Sequence, residues 1–168
     1  MNNKRQCGEC QVCCIVADVT EGEFKKPSCV ACPLLKTDGF GCSVFGKKER
    51  PNMCSTFECS WLKGFGSKKD RPDKSGVMVS VNNMNGGNWI MVMDYKKNAH
   101  LYSGKNIVVD IASQIDLPAI VVDYDNLKKG KGDYVLIKGK LKSRSSQIMG
   151  DFLGKFSKSI DKYKLIIK

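Results

Sequence analysis

Cysteine is missing from residues 60 to 168 of this 168-residue chain, although nine cysteines precede that point. Long apolar runs are missing too: no stretch approaches the roughly 18 apolar residues of a membrane span, and the opening MNNKRQ lacks the apolar run of a signal peptide. We therefore expect a cytoplasmic protein that does not enter a membrane. In a reducing compartment, a dense group of cysteines holds metal more often than it forms disulfides, and an odd number fits a disulfide framework poorly.

Familiar catalytic motifs are also missing. The sequence has no Walker loop, no GxGxxG and no nucleophile elbow. Its one histidine, His100, has no evident partner in the sequence and is expected to be an ordinary surface or strand residue. The expectation leans against an enzyme, although an iron-sulfur redox or radical enzyme stays open as an alternative.

Positive charge is present in excess, with a formal net charge of +11. Residues 1 to 75 carry +4 and residues 76 to 168 carry +7, and thiolates that bind metal would make the first part nearly neutral. The lysines are scattered, which favours an ordinary solvated surface. A protein or nucleic-acid partner bound through the basic C-terminal part is the alternative, with Lys128, Lys129 and Lys131 as the candidate contacts.

The chain divides into two parts of different character. Residues 1–63 hold the cysteines and show little periodicity, so we predict an irregular, metal-stapled cysteine-cluster domain. GFGSKKDRPDKSG, at residues 64–76, is rich in glycine, serine and charge, which is typical of a connector. Residues 77–168 predict a basic α+β domain, in which helices pack on a sheet.

Apolar periodicity supplies the elements of the second part. Strands are predicted at 77–81 and 89–95, joined as a hairpin, and methionines among their β-branched residues are expected to fill the core. The predicted order is β-β-α-β-β-α-β. The remaining elements are a helix at 105–116, strands at 119–124 and 134–141, a helix at 145–160 and a strand at 163–168.

The stretch CGECQVCC, residues 7–14, places four cysteines in eight positions. Two cysteines separated by two residues can hold one metal ion across a tight turn. The adjacent Cys13 and Cys14 diverge by about 100° on a helix and point to opposite faces of a strand, so they favour two sites or one polynuclear centre.

Our preferred count is eight thiolate ligands in two closed tetrahedral sites, each holding a zinc ion, with one cysteine left over. Which cysteines share a site stays open at this point. Structural zinc binds with about 10 to 16 kcal/mol, which is as large as the roughly 5 to 15 kcal/mol stability of a whole domain. The core candidates of the first part are few: Ile15, Val16, Leu34, Leu35, Val44, Phe45, Phe57, Trp61 and Leu62.

The same residues resemble the YkgJ-type cysteine-cluster family. The resemblance covers residues 7–59 and rests on CGECQVCC, CPLL, GCSVFGKKERPNMC and FEC. It implies zinc or iron chelation, and a similar cluster in flagellin lysine methylases looks like an iron-sulfur site. Metal delivery or storage is a further alternative. Cys29 lies outside the pattern and is kept as a possible substitute, and Ser55 stands where many members have arginine. The implied metal ligands are Cys7, Cys10, Cys13, Cys14, Cys32, Cys42, Cys54 and Cys59.

Overall fold

A computed structural model describes residues 5–84, 87–123, 125 and 134–138. The helix predicted at 145–160, the strand predicted at 163–168 and the candidate lysines 128, 129 and 131 all lie outside these residues. Within them the protein is a mixed α+β structure, so the predicted fold class is confirmed at that level. No helix in the described part is both long enough and apolar enough to cross a membrane.

A four-stranded sheet forms the centre of the described structure, in the order β3-β4-β5-β6. The first two strands pair antiparallel as the predicted hairpin, with Val77 opposite Asp94. β5 lies parallel to β4, which requires a crossover connection, and helix α4 (Lys105–Gln114) supplies it. The strands are β3 (Val77–Met84), β4 (Gly87–Asp94), β5 (Ala119–Val122) and β6 (Tyr134–Lys138).

The core beside this sheet contains the residues that periodicity predicted. Ile107, Val108 and Ile111 of α4 are buried, and so are Met78 and Met91 of the hairpin. Every residue of β5 is buried, as expected for a central strand covered on both faces.

The cysteine segment contains only short elements. Helix α1 (Val12–Val16) is followed by the hairpin β1 (Val19–Glu21) and β2 (Phe24–Lys26), with Gly22 at φ +57° in its turn. Helix α2 (Asn52–Thr56) is the next helix or strand along the chain. None of these elements exceeds five residues, which agrees with the lack of periodicity in the sequence.

The cysteine segment packs directly on the sheet. Val12, Val16 and Trp61 belong to the same buried apolar cluster as β3 and β4. The Ser60 N–H donates to the Val79 carbonyl at 2.7 Å, which joins this segment to the sheet. Arg5 donates to the carbonyls of Trp61, Phe65 and Gly66 at 2.7 to 2.9 Å.

The predicted connector is folded against both parts. Asp70 is buried and accepts from the Ser67 N–H and hydroxyl at 2.7 Å, which closes a short 3₁₀ turn at Lys68–Asp70. Helix α3 (Pro72–Ser75) follows this turn. The Gly66 N–H donates to Asp110 of α4 at 2.6 Å. Contacts therefore run across the boundaries we placed at residues 63 and 76, and the division into two domains stays a prediction.

Gly104 offers a test of how tightly the core is packed. A Cβ added there would lie 2.3 Å from Val77 Cγ2, which is too close for any real contact. We expect Gly104→Ala to destabilise the protein by about 1 to 3 kcal/mol in urea unfolding, because the added methyl overfills a packed site. In a Val77→Ala background the cost should be smaller but not absent, because Cγ2 is removed while the Val77 Cβ, 2.7 Å from the added atom, remains. An equal cost in both backgrounds would contradict the proposed clash.

Candidate metal centre

All nine cysteines lie within the described residues, and none of them forms a disulfide bond. Cys59 is buried, Cys7 is exposed, and the others are half-buried. The described residues therefore contain no disulfide bond. One group of neighbouring thiols lies against the apolar core, and a second group surrounds Cys14.

The first group lies against the apolar core, and we call it the core-side set. Cys59 belongs to the buried cluster, and Cys10 and Cys13 pack against that cluster. The Cys10 N–H donates to the Cys7 carbonyl at 2.9 Å, so these two cysteines flank one tight turn. The negative charge of a Cys59 thiolate raises the pKa of both Cys7 and Cys10. The core-side set comprises Cys7, Cys10, Cys13 and Cys59.

Backbone N–H groups lie near sulfurs of the core-side set: those of Val12 and Asp73 near Cys10, and those of Trp61 and Leu62 near Cys59. Such groups favour the thiolate over the thiol. Burial acts in the opposite direction and dominates: it raises the pKa of Cys10 to about 11 and also raises that of Cys59.

The second group surrounds Cys14, and we call it the cation-side set. The Cys32 N–H donates to the Cys14 carbonyl at 3.0 Å. The charges of Cys14, Cys32 and Cys42 all act on Cys54, whose pKa is raised first by burial and then by these neighbours. The cation-side set comprises Cys14, Cys32, Cys42 and Cys54.

Cys13 and Cys14 connect the two sets. The Cys13 thiol donates a hydrogen bond to the Cys14 sulfur, which raises the pKa of Cys13 and lowers the pKa of Cys14. The positive charges of Lys26 and Arg50 lower the pKa of Cys14 further. The contact between Cys13 and Cys14 brings the two sulfurs together, whereas the sequence predicted that they diverge.

Lys26 is 2% exposed and reaches the C-terminal end of α1. Its ammonium donates to the carbonyls of Ile15 at 3.0 Å, Pro27 at 3.1 Å and Ala17. The orphan carbonyls at a helix end are common acceptors for lysine. Lys26 therefore ties the helix that carries Cys14 to the loop that leads to Cys32.

Arg50 lies between the turn that follows Cys42 and helix α2. Its Nη2 donates to the Cys54 carbonyl at 2.6 Å, and its guanidinium lies 4.6 Å from the centre of the Phe45 ring. The Phe45 N–H donates to the Cys42 carbonyl at 3.2 Å. We expected Phe45 in the core, which is wrong: the ring is 70% exposed and serves as a surface for Arg50.

Cys29, the possible substitute, lies outside both sets as we have defined them. It has φ +58°, an uncommon backbone conformation for a residue other than glycine, and its charge acts on Lys26. The two sets are not fully separate, since the charge of Cys14 also acts on Cys7 and Cys13. Within the described residues, moreover, no three His, Cys, Asp or Glu side chains are arranged so that they could hold a metal ion.

A contact between His100 and the buried Asp94 was not predicted. His100 Nδ1 lies 2.7 Å from Asp94 Oδ2, and the His100 backbone N–H donates to the same carboxylate at 3.0 Å. The expectation that His100 has no partner is wrong. Asp94 is the last residue of strand β4 and precedes His100 by only six residues. This short separation in the sequence was the signal that could have indicated the contact.

Comparison with known proteins adds no relative. No family model, no curated protein and no solved structure matches this chain. The arguments about function therefore rest on the residues and contacts described above.

Glu21 links the β1-β2 hairpin to α2 and gives a pH-dependent prediction. Its carboxylate accepts from the N–H groups of Asn52 and Met53 at 2.8 and 2.9 Å, and these bonds lower its pKa from the ordinary 4.5. A carboxylate with a lowered pKa stabilises the fold above the ordinary pKa, and that stability is lost as the pH falls through the folded value. Glu21→Gln should therefore lose less stability than the parent between pH 6 and about pH 3.

Urea unfolding at the two pH values measures this difference, and thiol protonation cancels because all variants share the same cysteines. Glu23→Gln is the matched control, since Glu23 is exposed in the turn of the same hairpin. It should behave like the parent protein. If Glu21→Gln and Glu23→Gln show the same acid sensitivity, the capping role of Glu21 is refuted.

Proposed function

We propose that residues 7–59 form a metal-binding module in which the core-side and cation-side sets each hold one zinc ion through four thiolates. The observation that supports this most directly is the grouping of eight cysteines that form no disulfide into two sets of four. Four thiolates in tetrahedral geometry are a typical structural zinc site. The resemblance to the YkgJ-type family supports the same proposal.

The surroundings of the sulfurs suit an anionic metal-thiolate centre. Backbone N–H groups point at Cys10 and Cys59, and the cations Lys26 and Arg50 lie beside Cys14. Because no three described side chains converge on a common point, the proposal requires the thiols to turn inward when an ion binds. Cys10, Cys13 and Cys59 would have to turn against the apolar cluster, whereas the five other cysteines of the two sets are half-buried or exposed outside it.

The role we propose for the metal is structural. Phe40, Phe45 and Met53 are 61%, 70% and 47% exposed, so much of the apolar surface of this segment lies outside the core. A zinc site contributes about 10 to 16 kcal/mol, which is more than this small apolar contribution can supply. A closed four-thiolate site also leaves no position for a reactive water, so we propose a non-catalytic binding protein.

Metal analysis tests this proposal directly. Protein purified without oxygen should be colourless and contain about two zinc ions per chain, one for each set of four thiolates. Removal of the metal by a chelator should unfold residues 7–59, seen as rapid amide hydrogen exchange there. Brown protein with labile sulfide would instead favour an iron-sulfur centre, and protein without metal that keeps its protection would refute both kinds of metal centre.

Single cysteine substitutions test the grouping. Cys42→Ser removes a ligand of the cation-side set and should reduce the zinc content to about one ion per chain. Cys29→Ser is the matched control, because Cys29 is a half-buried thiol of the same segment outside both sets. It should retain about two ions. Loss of metal in Cys29→Ser with full retention in Cys42→Ser would reverse our assignment of the two residues.

A further inference from the structure

A cleft opens beside helix α1, and we call it the α1 cleft. Its volume is about 240 Å³, which is below the roughly 300 to 1,000 Å³ of sites for drug-sized ligands. The aliphatic part of its lining comes from the helix itself, through Val12 and Ile15. Val12 is 2% exposed and belongs to the apolar cluster, so this wall of the cleft is part of the core. The α1 cleft therefore suits a small ligand with apolar groups.

Two aromatic side chains also line the α1 cleft. Tyr95 directly follows strand β4 and is half-buried. Phe40 lies between Gly39 and Gly41, which have φ +135° and +105°. The Lys36 N–H donates to the Gly41 carbonyl at 3.0 Å, which closes the loop that carries Phe40. Because Phe40 is 61% exposed, a ligand in the cleft would cover apolar surface that now faces water.

The charged groups of the α1 cleft are anionic. Glu9 and Asp73 line it, and no lysine or arginine of the described residues does. Arg71 binds both oxygens of Asp73 at 2.7 and 2.8 Å, so this carboxylate is fixed in place and its charge is largely offset. Glu9 is exposed and forms no ion pair among the described residues, although Arg71 lies near enough to interact with its charge. The cleft thus presents a carboxylate in a chain whose net charge is +11.

This combination of groups selects one class of ligand. Glu9 would repel an anion, and a neutral apolar molecule would leave that carboxylate without a partner. A bare metal ion would make no use of the rings, and the described residues offer no three side chains that could hold one. An organic cation uses both kinds of group, because aromatic rings attract cations and quaternary ammonium ligands are recognised in this way.

We propose that the α1 cleft binds a small organic cation with methyl groups on its nitrogen, a compound of the quaternary ammonium class. Phe40 and Tyr95 contact the methyl groups, and Glu9 balances the charge. Asp73 lies beside Cys10, but none of the side chains that line the cleft is a proposed metal ligand. The inference therefore does not depend on whether a metal ion binds to the cysteines.

The test uses choline as the probe, with the neutral alcohol in which a carbon atom replaces its nitrogen as the matched control ligand. Each compound is added to the full chain at constant ionic strength, and amide chemical shifts are followed by NMR. Choline should shift the amides of Glu9, Val12, Phe40 and Tyr95 along a saturating curve. It should bind about tenfold or more tightly than the alcohol, because only choline carries a charge. Equal binding of the two compounds, shifts confined to other residues, or no saturable shift overturns the proposal.

Phe40→Leu tests the aromatic contact. Leucine keeps an apolar side chain on this exposed loop but has no ring, so choline binding should weaken by about fivefold or more. Binding of the neutral alcohol should change much less. Tyr102→Leu is the matched control, since Tyr102 is a 75% exposed aromatic residue outside the cleft, and it should bind choline like the parent. Equal choline affinities in Phe40→Leu and Tyr102→Leu contradict the assigned role of Phe40 and overturn the proposal.

Glu9→Gln tests the charge while keeping the shape of the side chain. Choline binding should weaken by about fivefold, as expected for the loss of one unit charge about 4 Å away at a surface exposed to water. Binding of the neutral alcohol should stay the same, which shows that the cleft is intact. Glu23→Gln removes an exposed carboxylate elsewhere and should have no effect. Parent-like choline affinity in Glu9→Gln overturns the proposal.

Discussion

The apolar contact between helix α1 and the sheet is the constraint on which the rest of the cysteine segment depends. Val12 and Val16 are 2% and 0% exposed and lie in one cluster with Val77 and Val79 of β3. This contact fixes the five-residue helix, which is too short to be stable alone. With one face of α1 buried, Cys13 packs against the apolar cluster, and the carbonyls at the end of the helix are placed where Lys26 binds them.

From this helix outward, the segment is held by point contacts more than by packing. Lys26 joins α1 to the loop before Cys32, Glu21 caps α2, and Arg50 joins α2 to the turn that contains Phe45. Each of these side chains forms hydrogen bonds with backbone atoms near a cysteine. Because hydrogen bonds contribute only about 1 kcal/mol each on balance, such a framework can position the thiols but is a weak source of stability. The proposed metal ions would contribute most of the stability of this segment.

Much of the sheet could be predicted from the sequence, whereas little of the cysteine segment could. Strands β3 to β5 are continuous apolar runs because both of their faces are buried, and helix α4 shows a period of 3.6 residues because one of its faces is buried. Residues 7–59 carry no such pattern, since their order comes from turns and single side chains. Phe45 shows the limit: its apolar character suggested the core, but its position beneath Arg50 depends on a contact between two turns that no local pattern encodes.

The grouping of the cysteines illustrates the same limit more sharply. Spacing alone identified the eight candidate ligands but left open which four share a site, because cysteines far apart in sequence can meet only through the tertiary fold. The structure places Cys59 with Cys7 and Cys10, although about fifty residues separate them, since Ser60 and Trp61 are anchored to the sheet beside α1. The cation-side set instead depends on Lys26 and Arg50, whose sequence context resembles that of any surface lysine or arginine. The electrostatic surroundings of the sulfurs therefore arise from the fold itself: Lys26 and Arg50 both act on Cys14, and Arg50 also acts on Cys7 and Cys54.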